Sequence, residues 1–122
     1  INAVNYFFAL YRYAFITGDT ADLAAMSEDA CVFCKSTIDN ATKLHQGGGW
    51  ANPWETNLND LYYIPPGEGK EYSGIQGTIT SSASTTVRGS GETTEKSAET
   101  LSFFVALKYA DEAWTIKGVS VE

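Results

Sequence analysis

Residues 41–67, ATKLHQGGGWANPWETNLNDLYYIPPG, contain the point at which the chain changes its periodicity. Before the glycines at 47–49, apolar residues recur at three-and-four spacing; beyond them the period falls to two, which separates a helical half from a sheet half. Trp50 and Trp54 flank Asn52-Pro53, a turn signal. A strand ending at Tyr62-Tyr63-Ile64 is stopped by Pro65-Pro66-Gly67.

Working back from the glycines, the third of three expected helices carries an inward stripe of Cys31, Cys34, Ile38, Ala41 and His45, spaced three, four, three, four. Ser27 reads as its N-cap, with Glu28 and Asp29 placing negative charge at the positive end of the helix dipole. A short second helix covers about residues 20–26, with Asp19 and Asp22 spaced for a cap. The first helix places Val4, Phe7, Phe8, Tyr11, Ala14 and Phe15 on one face and Tyr6, Leu10 and Tyr13 on a flank, so burial over most of its circumference is expected. Thr17-Gly18 ends it, glycine being the residue that takes the left-handed position after a helix without steric cost.

Working forward, one long strand alternates Ile75, Ile79, Ala83 and Val87 against Gln76, Thr78, Thr80, Ser82, Ser84 and Thr86. Residues 88–96 read as a polar hairpin connection. The next strand turns Leu101, Phe103, Val105, Leu107 and Tyr109 inward, Asp111-Glu112 reverses the chain, and Trp114 and Ile116 open the last strand. A bulge at Gly118 would return Val119 and Val121 to the same face. These elements predict an α+β fold, about three N-terminal helices packed on a curved antiparallel sheet, with one core over residues 1–122.

The composition of 43% apolar and 13% aromatic residues is that of a folded globule. The net charge of −7, from fifteen acids against eight Lys and Arg with no basic cluster, argues against nucleic acid and against charge-driven docking on anionic lipid. No apolar run approaches the roughly 18 residues of a spanning helix, since Asn2, Asn5 and Arg12 interrupt the most hydrophobic segment. The chain begins at Ile1 with no initiator Met, and is read as an excised domain whose targeting segment has been removed.

The order of elements resembles the nuclear-transport-factor-2-like fold, the cone-shaped α+β barrel grouped with cystatin-like folds. More narrowly, Tyr13-Ala14-x-x-Thr17-Gly18-Asp19-Thr20-x-x-Leu23-x-x-x-Ser27-x-x-x-Cys31-x-x-Cys34, followed by the glycines at 47–49, resembles a family of actinobacterial lipoproteins whose function is not established. The resemblance implies a signal peptide and a lipid-modified cysteine upstream, a disordered tether, and this domain outside the membrane, touching the membrane only through that anchor. It implies no activity, because the scaffold hosts isomerases, dehydratases, carriers and interaction modules.

Cys31 and Cys34, three apart at the start of a helix, have Cα atoms about 5 Å apart, within disulfide range. A structural disulfide is weighed against a redox pair, which lacks its strand–helix–strand context, and against a metal site, which two cysteines and one histidine do not fill. His45 is the side chain an acid–base proposal turns to first, with Asp39 as the carboxylate on the same helix. The plainer reading has His45 meeting helix carbonyls and Asp39 in solvent. Tyr6, Tyr13, Trp50, Trp54, Tyr62 and Tyr63 gather near the helix-to-sheet junction, where barrels of this shape open, either as a ligand pocket or as ordinary core. No phosphate loop, metal motif or nucleophile elbow is present, and no cofactor is expected.

Two functions compete. One is a non-enzymatic, extracytoplasmic module binding a small ligand, an envelope component or a protein. The other is an isomerase- or dehydratase-like enzyme with His45 or Asp39 as base, which requires one of them inside a cavity. Homodimerisation through the outer sheet face, common in this fold, leaves no mark in the sequence, because the exposed faces read as Ser- and Thr-rich.

Overall fold

A computed structural model describes residues 2–122; Ile1, the first residue of the expected domain, lies outside the described residues. Three helices come first, α1 (Asn2–Thr17), α2 (Ala21–Met26) and α3 (Val32–Gln46). Seven strands follow: β1 (Trp50–Ala51), β2 (Thr56–Ile64), β3 (Ser73–Ser81), β4 (Ser84–Val87), β5 (Thr93–Lys96), β6 (Glu99–Ala110) and β7 (Ala113–Val121). The fold is α+β, as the change of period requires.

The core forms where α1 lies on the inner face of a four-stranded antiparallel sheet of order β2-β3-β6-β7. Val4, Phe7, Phe8, Leu10 and Ala14 of α1 meet Ile75 and Ile79 of β3, Phe103, Val105 and Leu107 of β6, and Ile116 of β7. Each of these side chains other than Ala14 contributes roughly 1.5–3 kcal/mol on burial. Burial of α1 is narrower than expected, however: Tyr6 and Tyr13 stand in solvent, so one broad face is covered and not most of the circumference. The bulge expected near Gly118 is present. Ala106 pairs with Gly118 and Leu107 with Ile116, which leaves Lys117 as the extra residue and turns Val119 and Val121 back toward the core.

The alternating segment 75–87 is not one strand. It breaks after Ser81, because Ser82 takes the backbone of Glu55 as partner: its Oγ accepts from the Glu55 N–H at 2.9 Å, and its own N–H donates to the Glu55 carbonyl at 2.9 Å. The continuation, β4, joins a second sheet of order β1-β4-β5. Segment 88–96 is likewise more than a connection, since Thr93–Lys96 pair with Ser84–Val87. Only Arg88–Glu92 turn, with the Arg88 N–H donating to the Glu92 carbonyl. The tip of this hairpin meets the glycine stop of α3: a Cβ on Gly89 would collide with the Gly47 carbonyl.

The third helix begins later than the Ser27 cap implied. Ser27 Oγ donates to the Leu23 carbonyl at 2.6 Å and so closes α2, and Cys31 is the N-cap of α3, its sulfur accepting from the Cys34 N–H at 3.2 Å. Between them the chain joins β7, where Ser27 pairs with Ile116 and the Glu28 N–H donates to the Ile116 carbonyl. Glu28 therefore does not face the α3 dipole; its carboxylate accepts from Thr115 Oγ1 and Tyr72 Oη, each at 2.7 Å. The outer sheet face also departs from a uniformly Ser- and Thr-rich surface. Phe104 lays its ring over Gly74 beside Ile64, and Tyr62 is exposed on the same face.

Candidate functional site

A cavity of about 240 Å³ lies where α1 crosses the gap between the two sheets. Its apolar lining comes from both halves of the chain. Phe8, Tyr11 and Phe15 descend from one face of α1 at spacings of three and four, Phe33 enters from α3, and Ile79, Leu101 and Val121 rise from the large sheet. The opposite wall is polar because the small sheet turns its hydroxyl-bearing side inward: Ser84 and Thr86 of β4 join Ser81, Ser82 and Thr56 at the corner where β3 gives way to β4. Arg12 donates to Thr56 Oγ1 and fixes that edge of the cavity to α1.

Tyr11 is held from three sides. Its ring stacks on Phe33 at 5.8 Å, packs against Phe15 at 5.2 Å and meets Trp54 edge-on at 6.4 Å. Burial raises its pKa, with Lys96 opposing the shift and Glu99 adding to it, and no hydrogen bond from a described residue contributes. The phenol is thus a protonated donor at neutral pH. At the mouth, Lys96 Nζ lies 2.8 Å from Glu99 Oε1. Its hydrogen bond to Glu99 raises the lysine pKa, and the contact gives the ammonium its partner within the lining.

The expected site residues distribute unevenly around this cavity. Trp54 lines it. Tyr13, Trp50, Tyr62 and Tyr63 do not, being 46%, 45%, 61% and 46% exposed respectively. Trp50 donates its indole N–H to Asn52 Oδ1 at 3.2 Å, and Tyr63 shares a hydrogen bond with Ser73 at 2.9 Å. Asp39 is exposed on α3, away from the cavity lining. His45 is also outside. Its Nε2 lies 2.7 Å from the Phe15 carbonyl, and because a carbonyl only accepts, Nε2 carries the proton. The ring ties the C-terminal ends of α1 and α3 together, and Gly18, at φ +82°, leaves room for it: a Cβ there would come within 2.8 Å of the imidazole Cγ.

Sequence reasoning placed Tyr11 and Phe15 on a core stripe and put Lys96 in a connection. The signal that could have found the cavity was the density of Ser and Thr from Thr80 to Thr86, which a wet outer face also explains.

Cys31 and Cys34 form a disulfide with Cα atoms 5.2 Å apart, both residues fully buried beneath α1 and α2. The thiols are therefore unavailable to a metal. Among the described residues, no group of three or more His, Cys, Asp or Glu could hold a metal ion. Nor is any helix among the described residues long and apolar enough to cross a membrane.

Known structures repeat this architecture. The intermembrane-space region of the chloroplast protein ARC6 aligns with a TM-score of 0.76 at 14% identity, over 98% of this chain and 91% of that one. An uncharacterised protein of cystatin-like fold from Caulobacter vibrioides aligns at 0.58 with 8% identity, over 98% and 86%. Aln2 from a Streptomyces species aligns at 0.58 with 11% identity, over 98% and 87%. At these identities the likeness fixes the fold, cystatin-like and nuclear-transport-factor-2-like, and nothing finer. No curated protein matches the sequence. Residues 1–120 match the family of unknown function DUF6318, and the chain belongs to that family.

Proposed function

We propose that this domain is a non-enzymatic binding module, carried outside the cytoplasm on a lipid-anchored protein, whose ligand occupies the cavity between α1 and the two sheets. The observation that carries the reading is the make-up of that cavity: an aromatic wall facing a wall of neutral hydroxyls. Binding sites for small molecules combine an apolar surface with a few directed polar groups in this way. The buried disulfide supports the location, because such bonds persist in oxidising compartments.

The enzymatic alternative draws little support from the site. His45 is committed to the Phe15 carbonyl and Asp39 is exposed on α3, so neither reaches the cavity. The one carboxylate in the lining, Glu99, is held by Lys96. A ligand-observed NMR screen of single-ring fragments, followed by ¹H–¹⁵N mapping of the hits, tests the binding reading. Shifts gathered on Tyr11, Trp54, Ser84 and Thr86 are expected; hits that map only to the outer sheet face would replace the cavity with a surface. Protease shaving of intact cells, with thiol alkylation of the released domain, tests location and disulfide together.

A further inference from the structure

The cavity lining contains one cationic and one anionic side chain, and they are bound to each other. Lys96 ends β5, Glu99 opens β6, and their 2.8 Å contact closes the short connection between the small sheet and the large one. The carboxylate is the more enclosed partner: the Glu99 side chain is 32% exposed and that of Lys96 66%. An anionic ligand entering here would find the ammonium already paired and a carboxylate beside it. The rest of the polar lining is uncharged, comprising the Tyr11 hydroxyl and the Ser and Thr hydroxyls of the opposite wall.

Resting on the reading of this cavity as a binding site, we infer that Glu99 sets its charge selectivity. The occupant is a neutral, single-ring molecule bearing a hydrogen-bond acceptor, and carboxylates are disfavoured as long as Glu99 occupies Lys96. The size follows from the volume. At about 240 Å³ the cavity falls below the roughly 300 Å³ at which drug-sized sites begin. A ring with a short polar substituent matches that volume, and the Tyr11 hydroxyl is the donor for its acceptor. The magnitude follows from the exposure of the pair. A partly solvated charge contact is worth on the order of 1 kcal/mol, which corresponds to about fivefold in affinity.

Benzamide and benzoate have nearly the same shape and differ in charge, so they isolate this effect. In ¹H–¹⁵N titrations of the wild-type protein, benzamide is expected to bind about fivefold more tightly than benzoate. Glu99→Gln should strengthen benzoate by a similar factor, so that the two affinities approach each other, and adding Lys96→Met should abolish that gain. Equal affinity of the wild type for both probes, or an unaltered ratio in Glu99→Gln, overturns the inference while the cavity remains a binding site. If neither probe shifts the resonances of the cavity lining, the binding reading falls first and the inference with it. The wild-type comparison requires no variant to fold.

Discussion

Replacing Tyr11 by phenylalanine removes one oxygen and keeps the ring that packs on Phe33, Phe15 and Trp54. Because no described residue bonds that oxygen, Tyr11→Phe should change the stability by less than about 1 kcal/mol. It should nevertheless weaken an acceptor-bearing ligand such as benzamide several-fold, read by the same titration alongside a thermal melt. Glu28 behaves in the opposite way. Hydrogen bonds from Thr115 and then Tyr72 lower its pKa below the ordinary 4.5, and Lys108 and Lys117 add to the shift. A carboxyl with a lowered folded pKa contributes stability that is present above its unfolded value and is lost as pH falls through the folded one. The melting temperature of the wild type should therefore drop more steeply than that of Glu28→Gln between about pH 5 and pH 3, with the two converging at the acid end. Parallel pH profiles would show that the link between the α2–α3 connection and the sheet contributes nothing. Glu28 also marks a limit of sequence reading: an acid after a serine suggests a helix start, whereas its partners lie 44 and 87 residues away.

Elements were legible where one periodicity governs a segment. Residues 101–109 alternate without interruption and form β6, and the three-and-four stripe of residues 4–15 forms α1. Legibility failed where a tertiary partner overrode the local pattern. Nothing between Ile75 and Val87 announces that Ser82 will pair with Glu55, and the four exposed residues of β5 carry no alternation at all. The disulfide at the start of α3 acts at this same scale. It closes a loop of only four residues, so chain entropy assigns it about 2 kcal/mol. Cys31→Ser with Cys34→Ser should lower the melting temperature by about 8 °C while the transition stays cooperative, since serine at position 31 preserves the cap that begins the helix. A broad, non-cooperative melt would mean that the bond organises the helix and does more than tighten it.

For the molecule as a whole, the sequence specified three helices laid on a curved antiparallel sheet, yet the cavity was not legible. Its aromatic wall is carried by α1 and α3 and its polar wall by the corner between the two sheets, so the gap depends on how far α1 stands from that corner. The small sheet meets the end of α3 through a contact between backbones, the tip of the β4–β5 hairpin resting against the glycines that follow the helix. The small sheet works like the sliding jaw of a caliper, with Gly47 and Gly89 as its stop. A single methyl group at position 89 would push the jaw outward and leave the aromatic wall on α1 untouched, so Gly89→Ala should shift affinity toward larger rings, measurable as a rising preference for naphthamide over benzamide. Aperture and chemistry of the cavity are thereby carried by separate residues, and members of one family could diverge in the size of what they hold without altering the side chains that hold it.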